Sequence, residues 1–261
     1  MKRGVFPVLA IACLAIAVCF AGCTGTTTAP NTTGQVKTYV VGIDGEYPPY
    51  SYVEPSGNVT GFDVDSIKWI AAKKGFKVTF QPTQWDGIIP ALQAGKIDMV
   101  YSGMTITEER KQQVNFSIPY WKVNQSVAVH NDTNATLDDF KAGKLTVGGQ
   151  RGTTGAMWAE DNLVKTGTMP AANLVTYDTF PLAATDLVNK RIQAAIYDTP
   201  PMKDAIDGKP LHIVGEIDTG EEYGVAIRKS DTELLLVVNE GLAELMKDPY
   251  WEALKTTYEM E

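Results

Sequence analysis

The sequence predicts an α/β protein built as two successive units. Two observations carry this. From Thr38 the chain alternates short β-branched runs with amphipathic segments, and it does so twice over. Its 261 residues are also enough for two lobes of roughly 100 residues each, more than one small core fills.

The first 22 residues stand apart. Lys2 and Arg3 give a positive start, and Val5 to Ala21 is an apolar run ending in Phe20-Ala21-Gly22-Cys23. Small residues before a cysteine resemble a lipobox, so residues 1–22 are expected to be a signal peptide and the Cys23 thiol to carry a lipid anchoring the protein to the membrane. An uncleaved membrane helix is the alternative, but the run is short for a span. Residues 24–36 are polar and patternless, a flexible tether. Asn-X-Ser/Thr sequons begin at Asn31, Asn58, Asn115, Asn124, Asn131 and Asn134; they are either glycosylation sites or ordinary turns.

In the first unit Tyr39–Ile43 reads as a buried strand. Asp63–Lys74 reads as a helix with Ile67, Ile70 and Ala71 on one face and Gly75 as its stop. Phe76–Gln81 is a strand, Asp86–Ala94 a helix and Asp98–Tyr101 a strand. This βαβαβ order predicts a mostly parallel sheet with helices on both faces. In the second unit Ser126–His130, Leu145–Gly148, Leu174–Tyr177 and Ile192–Tyr197 read as strands, with helices at Leu137–Ala142, Thr154–Val164 and Phe180–Lys190. Strands at Leu211–Ile217 and Tyr223–Arg228 and helices at Thr232–Met246 and Pro249–Tyr258 close the chain.

Composition narrows the function. Without residues 1–22 the chain holds 21 basic and 31 acidic residues, a net charge of −10. Such a surface argues against nucleic acid. Cys13 and Cys19 lie in the signal, so only Cys23 remains and neither a disulfide framework nor a cysteine metal site is expected. His130 and His212 are far apart. No metal and no cofactor is expected.

One segment offers groups suited to a free zwitterion, whose carboxylate wants a bidentate Arg and whose ammonium wants acceptors. In Ser102-Gly103-Met104-Thr105-Ile106-Thr107-Glu108-Glu109-Arg110, Thr107 suits a helix N-cap and Arg110 follows three residues later. Taken alone, Arg110 is equally a surface residue of a short helix.

The wider pattern resembles extracellular solute-binding proteins of family 3, which include the glutamine-, histidine- and lysine/arginine/ornithine-binding proteins of ABC importers. The matching stretches run in order: Gly42 to Tyr50, Gly61 to Asp65, Trp85 to Leu92, Ser102 to Arg110, Phe116-Ser117 with Pro119-Tyr120, Gln150 to Gly155 and Tyr197 to Pro200. The resemblance covers about residues 38–258 and implies the type II periplasmic-binding-protein fold, two α/β lobes joined by a two-strand hinge. The implied parts are lobe 1 at 38–122 with 225–261, lobe 2 at 126–220, and hinge crossings at 122–125 and 220–224, after a tether at 23–37. It implies that Arg110 grips an α-carboxylate, with Thr105 and the Thr154 backbone beside it, and that Asp198 receives the α-ammonium, helped by the Ser102–Gly103 stretch. Asp44, Tyr47 and Trp85 match positions that meet the ligand side chain, with the two aromatics sandwiching it. Two aromatic faces and a carboxylate favour a cationic side chain.

Gln150 stands where glutamine-binding members have a lysine, and Tyr197 where they have a histidine, which weakens a glutamine assignment. Expected partners are therefore a free amino acid, ABC permease subunits and a membrane reached through Cys23, with the protein itself a monomer. Two readings from other classes stay open: a cyclohexadienyl dehydratase-like enzyme, and a sensory lobe serving a separate signalling protein.

Overall fold

The structure, a computed structural model, describes residues 36–260. Residues 36–261 form one compact unit. Residues 1–35, with the expected signal, Cys23 and most of the tether, lie outside the described residues.

Strand β1 (Thr38–Ile43) leads into a small antiparallel sheet of β2 (Glu46–Tyr47), β3 (Ser51–Val53) and β4 (Val59–Thr60). Helix α1 (Phe62–Lys74) follows. Its buried residues include Ile67, Ile70 and Ala71, the face anticipated from spacing. Asp63 and Asp65 sit in its first turn and Lys73 and Lys74 in its last, each sign suiting the helix dipole. Gly75 ends it in the left-handed conformation at φ 76°. The chain continues through β5 (Lys77–Pro82), α2 (Trp85–Gln93), β6 (Met99–Val100), α3 (Glu108–Gln113) and β7 (Asn115–Phe116).

Strand β8 (Trp121–His130) carries the chain into the second unit. There follow α4 (Leu137–Lys141), β9 (Val147–Gln150), α5 (Thr154–Ala159), a π-helical turn at 160–164, β10 (Leu174–Tyr177), α6 (Phe180–Val188), β11 (Ala194–Asp198) and α7 (Thr199–Ile206). Strand β12 (Leu211–Tyr223) returns the chain to β13 (Ala226–Ile227), α8 (Thr232–Leu245) and α9 (Pro249–Thr257).

Two five-stranded sheets result. The first has the order β5-β1-β6-β13-β7, with β1 parallel to both β5 and β6 and β13 antiparallel to its neighbours. The second has the order β10-β9-β11-β8-β12, parallel through β11 and antiparallel beyond it. The carboxyl ends of β1, β9 and β11 deliver Asp44, Gln150 and Asp198. In open α/β sheets, ligands bind at those ends.

Two features depart from the sequence reading. No helix is expected after Asp198, yet the Asp198-Thr199-Pro200-Pro201 stretch, which suits a turn or a helix cap, opens the eight-residue helix α7 with Asp198 at its N-cap position. Proline at the first helical positions gives up no intrahelical donor, so the pair starts a helix instead of blocking one. The continuous helix expected over Thr154–Val164 splits into α5 and the π turn.

Candidate functional site

Residues from both sheets meet around one small cavity of about 10 Å³. Nine of the ten residues singled out from the sequence line it: Asp44, Tyr47, Trp85, Gly103, Thr105, Arg110, Gln150, Thr154 and Asp198. Ser102 does not. It stands behind the wall, its Oγ accepting the Asp44 N–H at 2.9 Å and lying 2.7 Å from Ser51 Oγ.

Arg110 is held by α3. Thr107 caps that helix, its Oγ1 accepting the Arg110 N–H at 3.1 Å. The guanidinium is buried and donates to two carbonyls, Thr105 O at 2.9 Å and Gly152 O at 2.9 Å. Its carbon lies 5.6 Å from the Trp85 ring centroid. Burial pulls its pKa down, and the negative charges of Asp198 and Glu221 oppose that. No carboxylate pairs directly with it among the described residues. A buried guanidinium with neutral acceptors and no counterion is an unfinished ion pair.

An acidic group lines the same cavity. Asp198 ends β11 and occupies the N-cap position of α7 without a side-chain bond to that helix. One of its oxygens accepts from Tyr47 OH and the other from Gln125 Nε2. Burial, then the charge of Glu221, raises its pKa to about 6 against the hydrogen bonds from Tyr47, Tyr223 and Gln125. Tyr47 OH also lies 2.6 Å from Tyr223 OH.

A second carboxylate, Asp44, also lines the cavity. It accepts the Glu46 N–H at 2.9 Å and Gln150 Nε2 at 2.8 Å. Burial raises its pKa, and these two hydrogen bonds counter the rise. Gln150 Oε1 in turn accepts from Tyr197 OH at 2.6 Å. The Tyr197 ring is stacked on Phe180 at 3.8 Å.

The aromatic pair is arranged differently from the expected sandwich. Tyr47 stacks on Tyr50, with centroids 5.3 Å apart, and Trp85 faces the Arg110 guanidinium. Trp85 Nε1 donates to Gly152 O at 3.1 Å, so Trp85 and Arg110 share one acceptor. Gly103 is required where it stands. Its φ is +56°, and an added Cβ would fall 2.4 Å from Tyr47 Cε1. Its N–H donates at 2.6 Å to Asp63, a fully buried carboxyl outside the cavity whose pKa burial raises to about 8. Arg151 sits at the exposed rim, 2.6 Å from Asp178 and 3.5 Å from Asp86.

Sequence reasoning did not single out Thr153, which also lines the cavity, and gave Tyr197 no ligand role although it lines it too. Nor did it assign Gln125, Glu221 and Tyr223, which stand one layer behind. All three fall within the expected hinge crossings at 122–125 and 220–224, which marked their segments and not their side chains' place at the site.

This fold and cavity define a class. Two α/β sheets whose strand ends close on a buried, charge-bearing cavity form the type II periplasmic-binding-protein fold. The chain belongs to the bacterial extracellular solute-binding proteins, family 3, whose model matches residues 39–261. It is 34% identical over 222 residues to the L-cystine-binding protein TcyJ of Escherichia coli (strain K12), covering 83% of this chain and 80% of that one. Among solved structures it is similar to an ancestral arginine-binding protein, solved bound to arginine (37% identity, TM-score 0.77, 85% of this chain and 97% of that one) and bound to glutamine (37%, 0.77, 87% and 100%). It is also similar to an ancestral amino acid-binding protein that is a precursor of cyclohexadienyl dehydratase (38%, 0.74, 85% and 94%). No helix among the described residues is long and apolar enough to cross a membrane.

Proposed function

We propose that the protein captures a free polar L-amino acid outside the cell, with a preference for cationic side chains, and delivers it to the permease subunits of an ABC importer. One observation carries the reading. The cavity sets a buried guanidinium lacking a counterion against a buried carboxylate, Arg110 against Asp198. A zwitterion completes both at once: its carboxylate replaces the two carbonyls as acceptor for Arg110, and its ammonium restores ionised Asp198. Asp44 then faces the side chain. Among the described residues its carboxylate bonds to a backbone N–H and an amide, so a guanidinium or ammonium there supplies the missing charge.

In this reading lobe 1 comprises 38–122 with 225–261, lobe 2 comprises 126–220, and the crossings at 122–125 and 220–224 form the hinge. Tyr47–Asp198, Asp44–Gln150 and Trp85–Gly152 join the two sides without a ligand, and those contacts must open for one to enter. Cys23 carries the lipid anchor, and the protein works as a monomer without enzymatic activity.

Glutamine is the second reading, favoured because the ancestral arginine-binding protein was also solved with glutamine and because Gln150 suits an amide as well as a guanidinium. Titration calorimetry against the twenty amino acids, ornithine and cystine tests all of this. Saturable binding of arginine, lysine, ornithine or histidine, lost in Arg110→Ala, is expected. Binding of none, or undiminished binding by Arg110→Ala, overturns the site. Glutamate as the tightest ligand overturns the role of Asp44. Turnover of arogenate or prephenate overturns the transport reading in favour of an enzyme.

A further inference from the structure

Behind the cavity wall stands Glu221, a carboxylate that neither the sequence motifs nor the cavity lining assign. It lies on β12 beside an irregularity. Ile217 pairs with Gln125 and Glu221 with Val123, so β12 spends four residues where β8 spends two. Gly220, with φ +60°, makes the turn in this bulge. Bulges re-aim side chains, and this one delivers the Glu221 carboxylate to the back of the site.

Its contacts are specific. Oε2 accepts from Thr105 Oγ1 at 2.7 Å and from Thr154 Oγ1 at 2.6 Å. Oε1 accepts from Gln125 Nε2 at 3.0 Å. The same amide nitrogen donates to Asp198 Oδ1, and more weakly to Thr154 Oγ1 at 3.3 Å. The two threonine oxygens lie 3.4 Å apart.

A hydroxyl has one proton. Once Thr105 gives its proton to Glu221, the oxygen presents only lone pairs to the cavity. It can then accept from an ammonium and cannot donate to a carboxylate. Thr154 is committed the same way. The side-chain hydroxyls thus belong to the ammonium end of the ligand, leaving its carboxylate to Arg110 and backbone N–H groups.

We infer that Glu221 is a positioning residue of the ammonium subsite: it fixes the polarity of the Thr105 and Thr154 hydroxyls and holds Gln125 against Asp198. The inference rests on the reading that a free amino acid fills the cavity. Glu221 joins three sequence-distant segments here, since Thr105 follows β6, Thr154 opens α5 and Gln125 lies on β8.

The test measures a ratio. Calorimetry first finds the amino acid that binds wild type most tightly. The same protein is then titrated with its des-amino analogue (5-guanidinopentanoate for L-arginine) and its decarboxylated analogue (agmatine). The ratio of the des-amino dissociation constant to that of the parent reports the ammonium subsite. Glu221→Ala is expected to lower this ratio by about tenfold or more, the scale of one charge-assisted hydrogen bond, with the des-amino analogue changing far less. Thr105→Val is expected to lower it too, and the double variant to lower it by less than the sum of the singles. Glu221→Gln keeps an acceptor oxygen for the hydroxyls and is expected to lie between Glu221→Ala and wild type.

Equal weakening of the amino acid and its des-amino analogue in Glu221→Ala marks a purely structural role and overturns the inference. So does a ratio in Glu221→Gln no higher than in Glu221→Ala, or additive behaviour of the double variant. If wild type binds no amino acid, the parent reading fails instead.

Discussion

Ligand affinity should rise with pH up to about 6 and then level off. The group responsible is Asp198, whose carboxyl is raised to about 6 by burial and by the neighbouring Glu221 charge. Below that value the empty site holds a proton there, and an incoming ammonium must displace it. Ammonium and carboxylate of the ligand stay charged across this range, since their values lie near 8 and 3.5 in peptides and neither is crossed between pH 5 and 7. The sign follows: the complex binds fewer protons than the free protein, so raising the pH favours binding. At pH 5 the free carboxyl is about nine-tenths protonated, and at pH 7 about one-tenth. The affinity should therefore rise about tenfold between them, about 1.4 kcal/mol. Calorimetry at pH 5 in two buffers of different ionisation enthalpy should show release of nearly one proton per ligand. Asp198→Asn should bind weakly and with a flat profile. A flat wild-type profile from pH 5 to 7, or proton uptake on binding, would refute the argument.

Four further outcomes follow from the same geometry. Asp63 is fully buried with its pKa raised to about 8, so its stabilising contribution is complete below about pH 4 and is lost as pH rises towards 8; Asp63→Asn should lose about 2–3 kcal/mol less stability than wild type between pH 5 and 7 in thermal denaturation. Asp44→Asn should weaken arginine more than glutamine, by about tenfold in the ratio of dissociation constants. Arg110→Lys should lose at least about tenfold in affinity, because a point charge cannot serve two acceptors in a fork. Gly103→Ala forces a left-handed backbone, at about 1–2 kcal/mol, and drives a methyl into Tyr47; the melting temperature and the affinity should fall together.

Local chemistry made part of this legible in the sequence. Thr107 and its acidic first turn marked α3, Gly75 marked the end of α1, and Leu174–Tyr177 appears as a strand over the same residues. Helix α7 escaped because two adjacent prolines signal a turn until their position at a helix start is known. The small sheet β2-β3-β4 escaped because strands of two or three residues carry no periodicity. In the site, residues within continuous motifs were visible. Gln125, Glu221 and Tyr223 were not, because they meet only through the pairing of β8 with β12 and its bulge. A register shift leaves no mark in composition. Ser102 was visible through its stretch, and its hydroxyl braces the Asp44 loop.

The contacts across the cavity also bear on what it turns away. Tyr47 with Asp198 and Gln150 with Asp44 are satisfied pairs, so a solute enters by exchange and must return a donor for each one it breaks. A molecule lacking the ammonium, or carrying an apolar tail, would leave a buried carboxylate short of a partner, at about 1–3 kcal/mol or more. Rejection of incomplete solutes is thus written into the protein's own hydrogen bonds, and loosening either pair by mutation should broaden what the cavity admits before it weakens what it holds.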